Sequence, residues 1–156
     1  MTLMSRKVDY ALLILSFLDQ KRKGGCAREI ADRYGLSKGF VANILKELCH
    51  NGFVASHRGV KGGYVLCRPA EEISLAELMD TLDEAFHLTE CTKLPINSDP
   101  CSHEAVCPLK GAVAEVHRRI RDVLREVTLA EIFHPREPAT PRFFGLDVLE
   151  HVTSEA

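Results

Sequence analysis

The chain has 156 residues, an apolar fraction of 46% and a formal net charge of −2, values typical of one globular domain or a small domain with an extension. Six cysteines would allow three disulfides in a secreted protein. The apolar run 11–18 does not fit a signal peptide, however, because Asp9 precedes it, Asp19 follows it and no cleavage site comes after it. That run is also too short to span a bilayer, so we expect a cytoplasmic protein with reduced thiols and no membrane contact.

The small net charge conceals an asymmetry between the two halves of the chain. Residues 1–68 hold 12 Lys+Arg and 5 Asp+Glu, a charge of +7, whereas residues 69–156 hold the other 8 and 17, a charge of −9. A basic first half favours a polyanionic partner for that half, although solvated charges can also fall this way by chance.

A first helix is predicted from Ser5, a suitable cap, to about Gln20. Apolar residues recur in it at steps of three and four, which marks one buried face: Val8, Ala11, Leu12, Leu15 and Leu18. Asp9 lies in the first turn, where the helix dipole stabilises a carboxylate, and residues 21–25 form a turn.

The stretch 27–51 predicts a helix-turn-helix. Gly35 ends its first helix, Ser37 caps its second, and the small Ala31 lets the two helices approach closely. In a DNA-binding helix-turn-helix the second helix enters the major groove, where asparagine can pair with adenine and lysine can reach guanine or phosphate. The candidate DNA-binding residues are Ser37, Lys38, Gly39, Ala42, Asn43 and Lys46.

A basic hairpin is predicted directly after this motif. The segments FVASH (53–57) and YVLC (64–67) predict strands, and the linking RGVKGG contains three glycines and two cations. A helix-turn-helix followed by such a hairpin is the winged-helix arrangement, in which glycines let the wing approach the sugar-phosphate backbone. The candidate residues are Arg58, Gly59 and Lys61, with Arg58 suited to a narrow minor groove. The alternative is an ordinary surface hairpin.

Three cysteines, Cys91, Cys101 and Cys107, lie within 17 residues that also contain two prolines. The prolines exclude a regular helix or strand, and a loop with few apolar residues is costly to order by packing alone. A thiolate-bound metal centre would order it, and three cysteines without the close pairs typical of zinc suit an iron–sulfur cluster with one weaker ligand. Redox thiols are the alternative. The other cysteines are expected in the core: Cys26, Cys49 and Cys67.

Two helices frame this loop. Ser74 caps the first and forms a capping box with Glu77, and the second runs from Leu109 to about Val127. Apolar residues in the second step by three and four as a heptad seam: Leu109, Val113, Val116, Ile120, Val123 and Val127. A helix of roughly 28 Å with such a seam favours a dimer contact, and the alternative is packing on its own domain.

The predicted fold class is mostly α with a small β-hairpin wing, a winged helix-turn-helix joined to a long dimerisation helix. We expect a DNA-binding domain at 1–72, the cysteine loop and dimerisation helices at 73–133, and a poorly ordered tail at 134–156. An enzyme is not expected, because no Ser/His/Asp set, phosphate loop or carboxylate pair stands out and the seven histidines are scattered.

Several segments carry a family resemblance: KVDYALLIL (7–15), IADRYGLSKGFVANILKEL (30–48), RGVKGGYVL (58–66), ISLAELMDTLDE (73–84) and TLAEIF (128–133). With the cysteine triplet, they resemble the winged-helix repressor family that includes IscR and NsrR, over residues 4 to about 133. The resemblance implies a homodimer that binds a palindromic site in double-stranded promoter DNA. It also implies one iron–sulfur cluster per subunit, four-iron four-sulfur in preference to two-iron two-sulfur.

Two departures from the family pattern concern the ligands. The gap from Cys91 to Cys101 is longer than is common among the relatives, and Lys110 stands where IscR-like members have a histidine. Asp9 matches the aspartate that NsrR-like members donate from the partner subunit. The resemblance therefore implies a cluster held by the three cysteines and Asp9, closer to NsrR than to IscR, with His103 as the alternative fourth ligand.

The expected function is promoter binding, with repression as its result, controlled by the cluster in response to nitric oxide, redox state or iron supply. Two alternatives stay open. One is a zinc- or thiol-redox-dependent winged-helix regulator, and the other is a partner-binding regulator of a cysteine-metabolism enzyme.

Overall fold

The computed structural model describes residues 4–57, 59, 62–82, 86–89, 92 and 106–135, and the predicted tail lies outside this range from residue 136 onward. The helices and strands, in chain order, are α1 (Arg6–Gln20), α2 (Ala27–Tyr34), α3 (Lys38–His50), β1 (Val54–His57), β2 (Gly63–Leu66), α4 (Leu75–Leu82), α5 (Lys110–Glu126) and α6 (Leu129–Phe133), with a 3-10 turn at Ala70–Glu72. The described residues are mostly helical with one hairpin, which confirms the predicted fold class.

The first helix begins and ends as predicted. Ser5 caps it, since the Ser5 Oγ accepts a hydrogen bond from the Val8 backbone N–H at 3.3 Å. The buried face of α1 packs against α3, α4 and β2, which places this helix at the centre of the described core. The buried residues on that face are Val8, Ala11, Ile14, Leu15 and Leu18.

The helix-turn-helix is built around Gly35. This glycine ends α2 with a φ of +66°, a left-handed conformation that glycine adopts without steric cost. The Leu36 N–H then donates to the Ala31 carbonyl at 2.9 Å, and the Ser37 Oγ accepts from the Phe40 N–H at 3.2 Å to begin α3. The predicted end of α2 and the predicted cap of α3 are therefore confirmed.

The wing is an antiparallel hairpin that is joined to the turn before α2. Strands β1 and β2 pair with Val54 opposite Leu66, and each strand differs from its predicted bounds by one residue at one or both ends. Gly25 adds to the other edge of β2, where its N–H donates to the Tyr64 carbonyl at 3.0 Å and its carbonyl accepts from the Tyr64 N–H at 2.8 Å. The wing is thus fixed to the start of the helix-turn-helix.

The C-terminal helices are tied to the winged helix through the backbone. The Leu75 N–H donates to the Val127 carbonyl at 2.9 Å, and the Leu129 N–H donates to the Ile73 carbonyl at 2.9 Å. These bonds join the start of α4 to the junction between α5 and α6. The buried residues consequently form one cluster that extends from α1 to α6.

Two side-chain predictions for this fold are wrong. The sequence places Cys67 in the core, but the structure exposes it just after β2, although its backbone N–H still donates to the Phe53 carbonyl at 2.9 Å. Cys26 and Cys49 are half-buried. Ser74 caps α4 by accepting from the Glu77 N–H at 3.1 Å, but the Glu77 carboxylate pairs with Arg68 rather than completing a capping box. Among the helices that the structure describes, none is long and apolar enough to cross a lipid bilayer.

Candidate DNA-binding surface and cysteine site

The exposed face of α3 collects the DNA-binding residues predicted in the helix-turn-helix. The opposite face of α3 is buried and consists of Val41, Ile44, Leu45 and Leu48. The predicted residues are all exposed, on the open face or at the N-terminal end of the helix: Ser37, Lys38, Gly39, Ala42, Asn43 and Lys46. A helix that buries one face on its own core leaves the other face free to enter a major groove.

The tip of the wing contains the remaining DNA-binding candidates. Gly59 is exposed there, and its carbonyl accepts a hydrogen bond from the Gly62 N–H at 2.8 Å. A Cβ at position 62 would lie 2.7 Å from the His57 carbonyl oxygen, so this close turn requires glycine. Arg58 and Lys61, the predicted cations of the wing, lie outside the described residues.

Helix α1 contacts α3 through two side-chain pairs that sequence spacing does not reveal. The Tyr10 ring packs edge-on against the Phe40 ring with centroids 5.0 Å apart. Lys7 Nζ lies 3.3 Å from the Glu47 carboxylate of α3 and donates to the Leu82 carbonyl of α4 at 2.7 Å. A cavity of about 520 Å³ opens beside these contacts, between the N-terminal part of α1 and α3. The position of α1 is therefore coupled directly to that of α3.

The predicted heptad seam of α5 is only partly covered by the rest of the chain. Leu109, Val116 and Val123 have 63%, 48% and 58% of their surface exposed. Leu124, which the heptad pattern omits, is buried in the core. Helix α5 therefore packs on α4 through a neighbouring stripe and leaves three aliphatic side chains in solvent.

A histidine of α5 that the sequence did not single out packs against a residue that follows α4. The His117 ring stacks on Phe86 with centroids 5.6 Å apart, and its Nδ1 is buried without a hydrogen-bond partner among the described residues. Burial lowers the pKa of His117, and Arg121 and His87 lower it further. Arg121 also donates to both carboxylate oxygens of Asp80, at 2.6 and 2.7 Å, between α5 and α4. These partners are remote in the chain, so no local pattern distinguishes His117 from the other histidines.

Two of the predicted metal ligands are described. Cys107 is a free, half-buried thiol just before α5, and Asp9 is exposed in the first turn of α1. The ion pairs of the described residues do not include the Asp9 carboxylate, so it is open to a ligand. Cys91, Cys101 and the alternative ligand His103 lie outside the described residues. In the part of the chain that is described, no three or more His, Cys, Asp or Glu residues form a group that could hold a metal ion.

The donor atoms of the predicted site fit an iron centre by their chemistry. Cysteine thiolates are the usual ligands of iron–sulfur clusters, and a carboxylate is an anionic oxygen donor that can complete such a set. Cys107, the cysteine of this set that the structure describes, is half-buried and free.

Comparison with known proteins places the chain among transcriptional regulators. Residues 4–135 match the Rrf2 family, which is described as iron-dependent transcriptional regulators. The chain is 30% identical over 131 residues to the HTH-type transcriptional regulator NsrR of Bacillus subtilis, which covers 83% of this chain and 88% of that protein.

Two solved structures share the fold. IscR of T. potens has a TM-score of 0.64 at 24% sequence identity and covers 88% of this chain and 90% of that one. The oxidized form of Staphylococcus aureus CymR has a TM-score of 0.62 at 26% identity and covers 88% of this chain and 99% of that one.

Proposed function

The chain belongs to the Rrf2 family of transcriptional regulators, and we propose that it is a homodimeric repressor whose promoter binding is controlled by an iron–sulfur cluster. The observation that carries the DNA-binding role is the exposed face of α3, which gathers six candidate contact residues beside a hairpin wing. On this proposal Asn43 reads adenine through two hydrogen bonds, and Lys38 and Lys46 bind guanine or phosphate. Arg58 of the wing enters the adjacent minor groove.

The proposed dimer forms through α5. Leu109, the residue before α5, forms an exposed aliphatic row with Val116 and Val123 of this helix. A second copy of the same row would remove it from water. A two-fold axis through that contact relates the two α3 helices, so they would read two half-sites of a palindrome about one helical turn apart.

The proposed cluster ligands are Cys91, Cys101 and Cys107 of one subunit and Asp9 of the partner subunit. An oxygen ligand beside three thiolates leaves one iron open to nitric oxide or oxygen when the cluster is bound. Leu13, one turn after Asp9 on α1, is also exposed, which supports a contact between subunits along this side of the helix. Asp9 in that contact would carry its carboxylate to the cysteine loop of the other subunit.

Helix α1 transmits the state of the site to α3. Asp9 is adjacent to Tyr10 and two residues from Lys7, and these two side chains contact Phe40 and Glu47 of α3. Release of Asp9 frees the first turn of α1 to move, and any such movement changes the contacts of Tyr10 and Lys7 with α3. The DNA affinity then changes by the difference in contact energy between the two positions of α1.

Anaerobic reconstitution with iron and sulfide tests the cluster through visible absorption, Mössbauer spectra and iron content. Wild-type protein should be coloured, Cys107→Ser should lose iron, and Cys67→Ser, at an exposed cysteine outside the loop, should retain it. Asp9→Ala should alter the Mössbauer spectrum and destabilise the cluster, whereas Glu71→Ala, at another exposed carboxylate, should not. Wild-type protein that stays colourless and iron-free refutes the cluster, and an unchanged Asp9→Ala spectrum removes Asp9 alone.

Selection from random duplexes followed by fluorescence anisotropy tests the DNA-binding role. Asn43→Ala should relax the base preference at one position of each half-site and cost about 1–3 kcal/mol of discrimination there. Glu126→Ala, at an exposed residue near the end of α5, is the control and should keep the wild-type preference. The DNA-binding role is refuted if neither the cluster-loaded nor the cluster-free protein binds any duplex at low salt.

A thiol-redox regulator is the second candidate function. It is favoured by the likeness to the oxidized form of Staphylococcus aureus CymR and by the exposed Cys67 in the DNA-binding half. Under this alternative, iron-free protein should change its DNA affinity on treatment with peroxide and recover it with dithiothreitol. Cys67→Ser should abolish that response, and a response that persists in this variant would remove Cys67 from the redox mechanism.

A further inference from the structure

The turn 21–25 between α1 and α2 presents a short basic sequence, and only part of its charge is neutralised. Lys21 Nζ lies 2.7 Å from Glu29 Oε1 and 5.7 Å from the centroid of the Phe17 ring. That hydrogen bond lowers the pKa of Glu29, so the carboxylate stays ionised and paired. Arg22 and Lys23 are exposed, and neither occurs in the ion pairs of the described residues. Two cations of this turn are therefore available to a partner.

The backbone of this turn is held rigidly against the wing. The Gly24 N–H donates to the Lys21 carbonyl at 2.7 Å, and Gly25 exchanges two hydrogen bonds with Tyr64 of β2. A Cβ on Gly24 would lie 2.8 Å from the Tyr64 carbonyl oxygen, and one on Gly63 would lie 2.8 Å from the Gly25 oxygen. A side chain at Gly24 or Gly63 would therefore force the backbones of the turn and of β2 apart. The backbone that carries Arg22 and Lys23 is consequently held beside the hairpin.

The turn and the wing enclose one cleft. Its volume is about 380 Å³, and Lys23, His57 and backbone at Gly62 and Gly63 lie along its wall. Glu29 is the carboxylate among its lining residues, and Lys21 already neutralises it. Lys23 therefore gives the cleft a positive charge that is not neutralised by Glu29. The cleft lies beside the hairpin that carries the candidate DNA contacts of the wing.

We propose that Arg22 and Lys23 bind phosphates of the DNA backbone next to the wing, as a contact separate from α3 and the wing tip; this rests on the DNA-binding role proposed above. Exposed cations on a turn beside the wing attract the phosphates of any duplex, and a contact to phosphate carries no sequence information. The contact therefore adds affinity that does not depend on base sequence. Its energy comes from the release of counterions, so it weakens as salt concentration rises.

The test compares Arg22→Ala/Lys23→Ala with wild type in the full-length dimer. Fluorescence anisotropy with a selected duplex and with an unrelated duplex, each over a range of salt concentrations, gives the slope of log K against log salt. Each phosphate contact contributes about 0.9 to that slope, so loss of one or two contacts per subunit should make it shallower by about 1.8 to 3.6 per dimer. The ratio of affinities for the two duplexes should stay unchanged, because phosphates carry no sequence information.

Matched variants separate this contact from a general effect of charge. Arg119→Ala/Arg125→Ala removes the same charge from exposed positions of α5, which packs on α4, and should leave the slope as in wild type. Exchange of the two cations, Arg22→Lys/Lys23→Arg, should keep the wild-type slope. An equal slope in Arg22→Ala/Lys23→Ala and wild type, or a loss confined to the selected duplex, overturns this proposal alone. Absence of DNA binding by wild-type protein overturns the DNA-binding role and this proposal with it.

Discussion

Truncation of the exposed row on α5 tests whether that row joins two subunits. The variant Val116→Ala/Val123→Ala removes two methyl groups from each of two valines that are 48% and 58% exposed in the single chain. Burial contributes about 0.8 kcal/mol per methylene-sized group, so a full valine-to-alanine truncation removes about 1.6 kcal/mol. About half of each valine is left for a partner to cover, which gives about 0.8 kcal/mol per side chain at the interface.

Two-fold symmetry doubles this effect. Each substitution occurs once in either subunit, so four truncated side chains weaken the dimer by about 3 kcal/mol. Because about 1.4 kcal/mol corresponds to a tenfold change, the dimer Kd should rise roughly a hundredfold. Far-UV circular dichroism should stay as in wild type, since each valine is already about half exposed in the single chain and alanine is a better helix former than valine.

Sedimentation velocity over a concentration series measures this change in Kd. The control is Ala114→Ser, an exposed position of α5 on the side of the helix away from the row, which should keep the wild-type Kd. DNA affinity should fall for a palindrome and change little for a single half-site. A double variant whose Kd stays within about threefold of wild type would show that this row is not the subunit interface.

Because the pKa of His117 is lowered in the folded protein, the free energy of unfolding should fall as the pH drops below the ordinary histidine pKa of 6.5. His117→Phe should make this fall in the free energy of unfolding smaller. Urea unfolding over a pH series measures the effect, and a profile that His117→Phe leaves unchanged contradicts the prediction. Gly35→Ala forces a left-handed φ on alanine and should lower the free energy of unfolding by about 1–2 kcal/mol. Gly111→Ala, in α5 where none of the described residues lies close to the added Cβ, should raise it by about 0.4–1 kcal/mol. Equal effects of the two substitutions in thermal unfolding would contradict this. Cys67 is exposed, whereas burial and the nearby Cys67 raise the pKa of Cys49. Cys67 should therefore react with iodoacetamide faster than Cys49. Equal rates in peptide mass spectrometry would contradict this.

The caps and turns of this fold could be predicted because each depends on residues close in the chain. Ser5 and Ser37 each accept a hydrogen bond from the N–H three residues ahead, and Gly35 ends α2 through its own backbone conformation. The candidate DNA-binding face follows from the same local reasoning, because it is the complement of the buried face of α3.

Contacts between remote residues could not be predicted in this way. Asp80 and Arg121 are 41 residues apart, and nothing in the spacing of either helix indicates that they meet. The heptad pattern of α5 likewise identifies a row of apolar residues but not the neighbour that each one contacts. Leu124 fills the core while Val123, the adjacent residue, faces solvent. Periodicity gives the spacing of a face, whereas the direction of that face depends on packing against the whole chain.

The contacts between α1 and α3 limit how far a change at Asp9 can alter DNA affinity. An edge-on pair such as Tyr10 and Phe40 contributes about 0.5–1.5 kcal/mol, and a partly exposed ion pair such as Lys7 and Glu47 contributes about 0.2–1 kcal/mol. Loss of both contacts in each subunit would change the binding free energy by about 1.4–5 kcal/mol per dimer, or roughly tenfold to several thousandfold in affinity. Solvent and salt weaken the ion pair, so most of this range depends on the aromatic pair. Loss of the ion pair alone, with Tyr10 and Phe40 still in contact, would change the binding free energy by only about 0.4–2 kcal/mol per dimer. Control of DNA affinity beyond that limit therefore requires Tyr10 and Phe40 to separate.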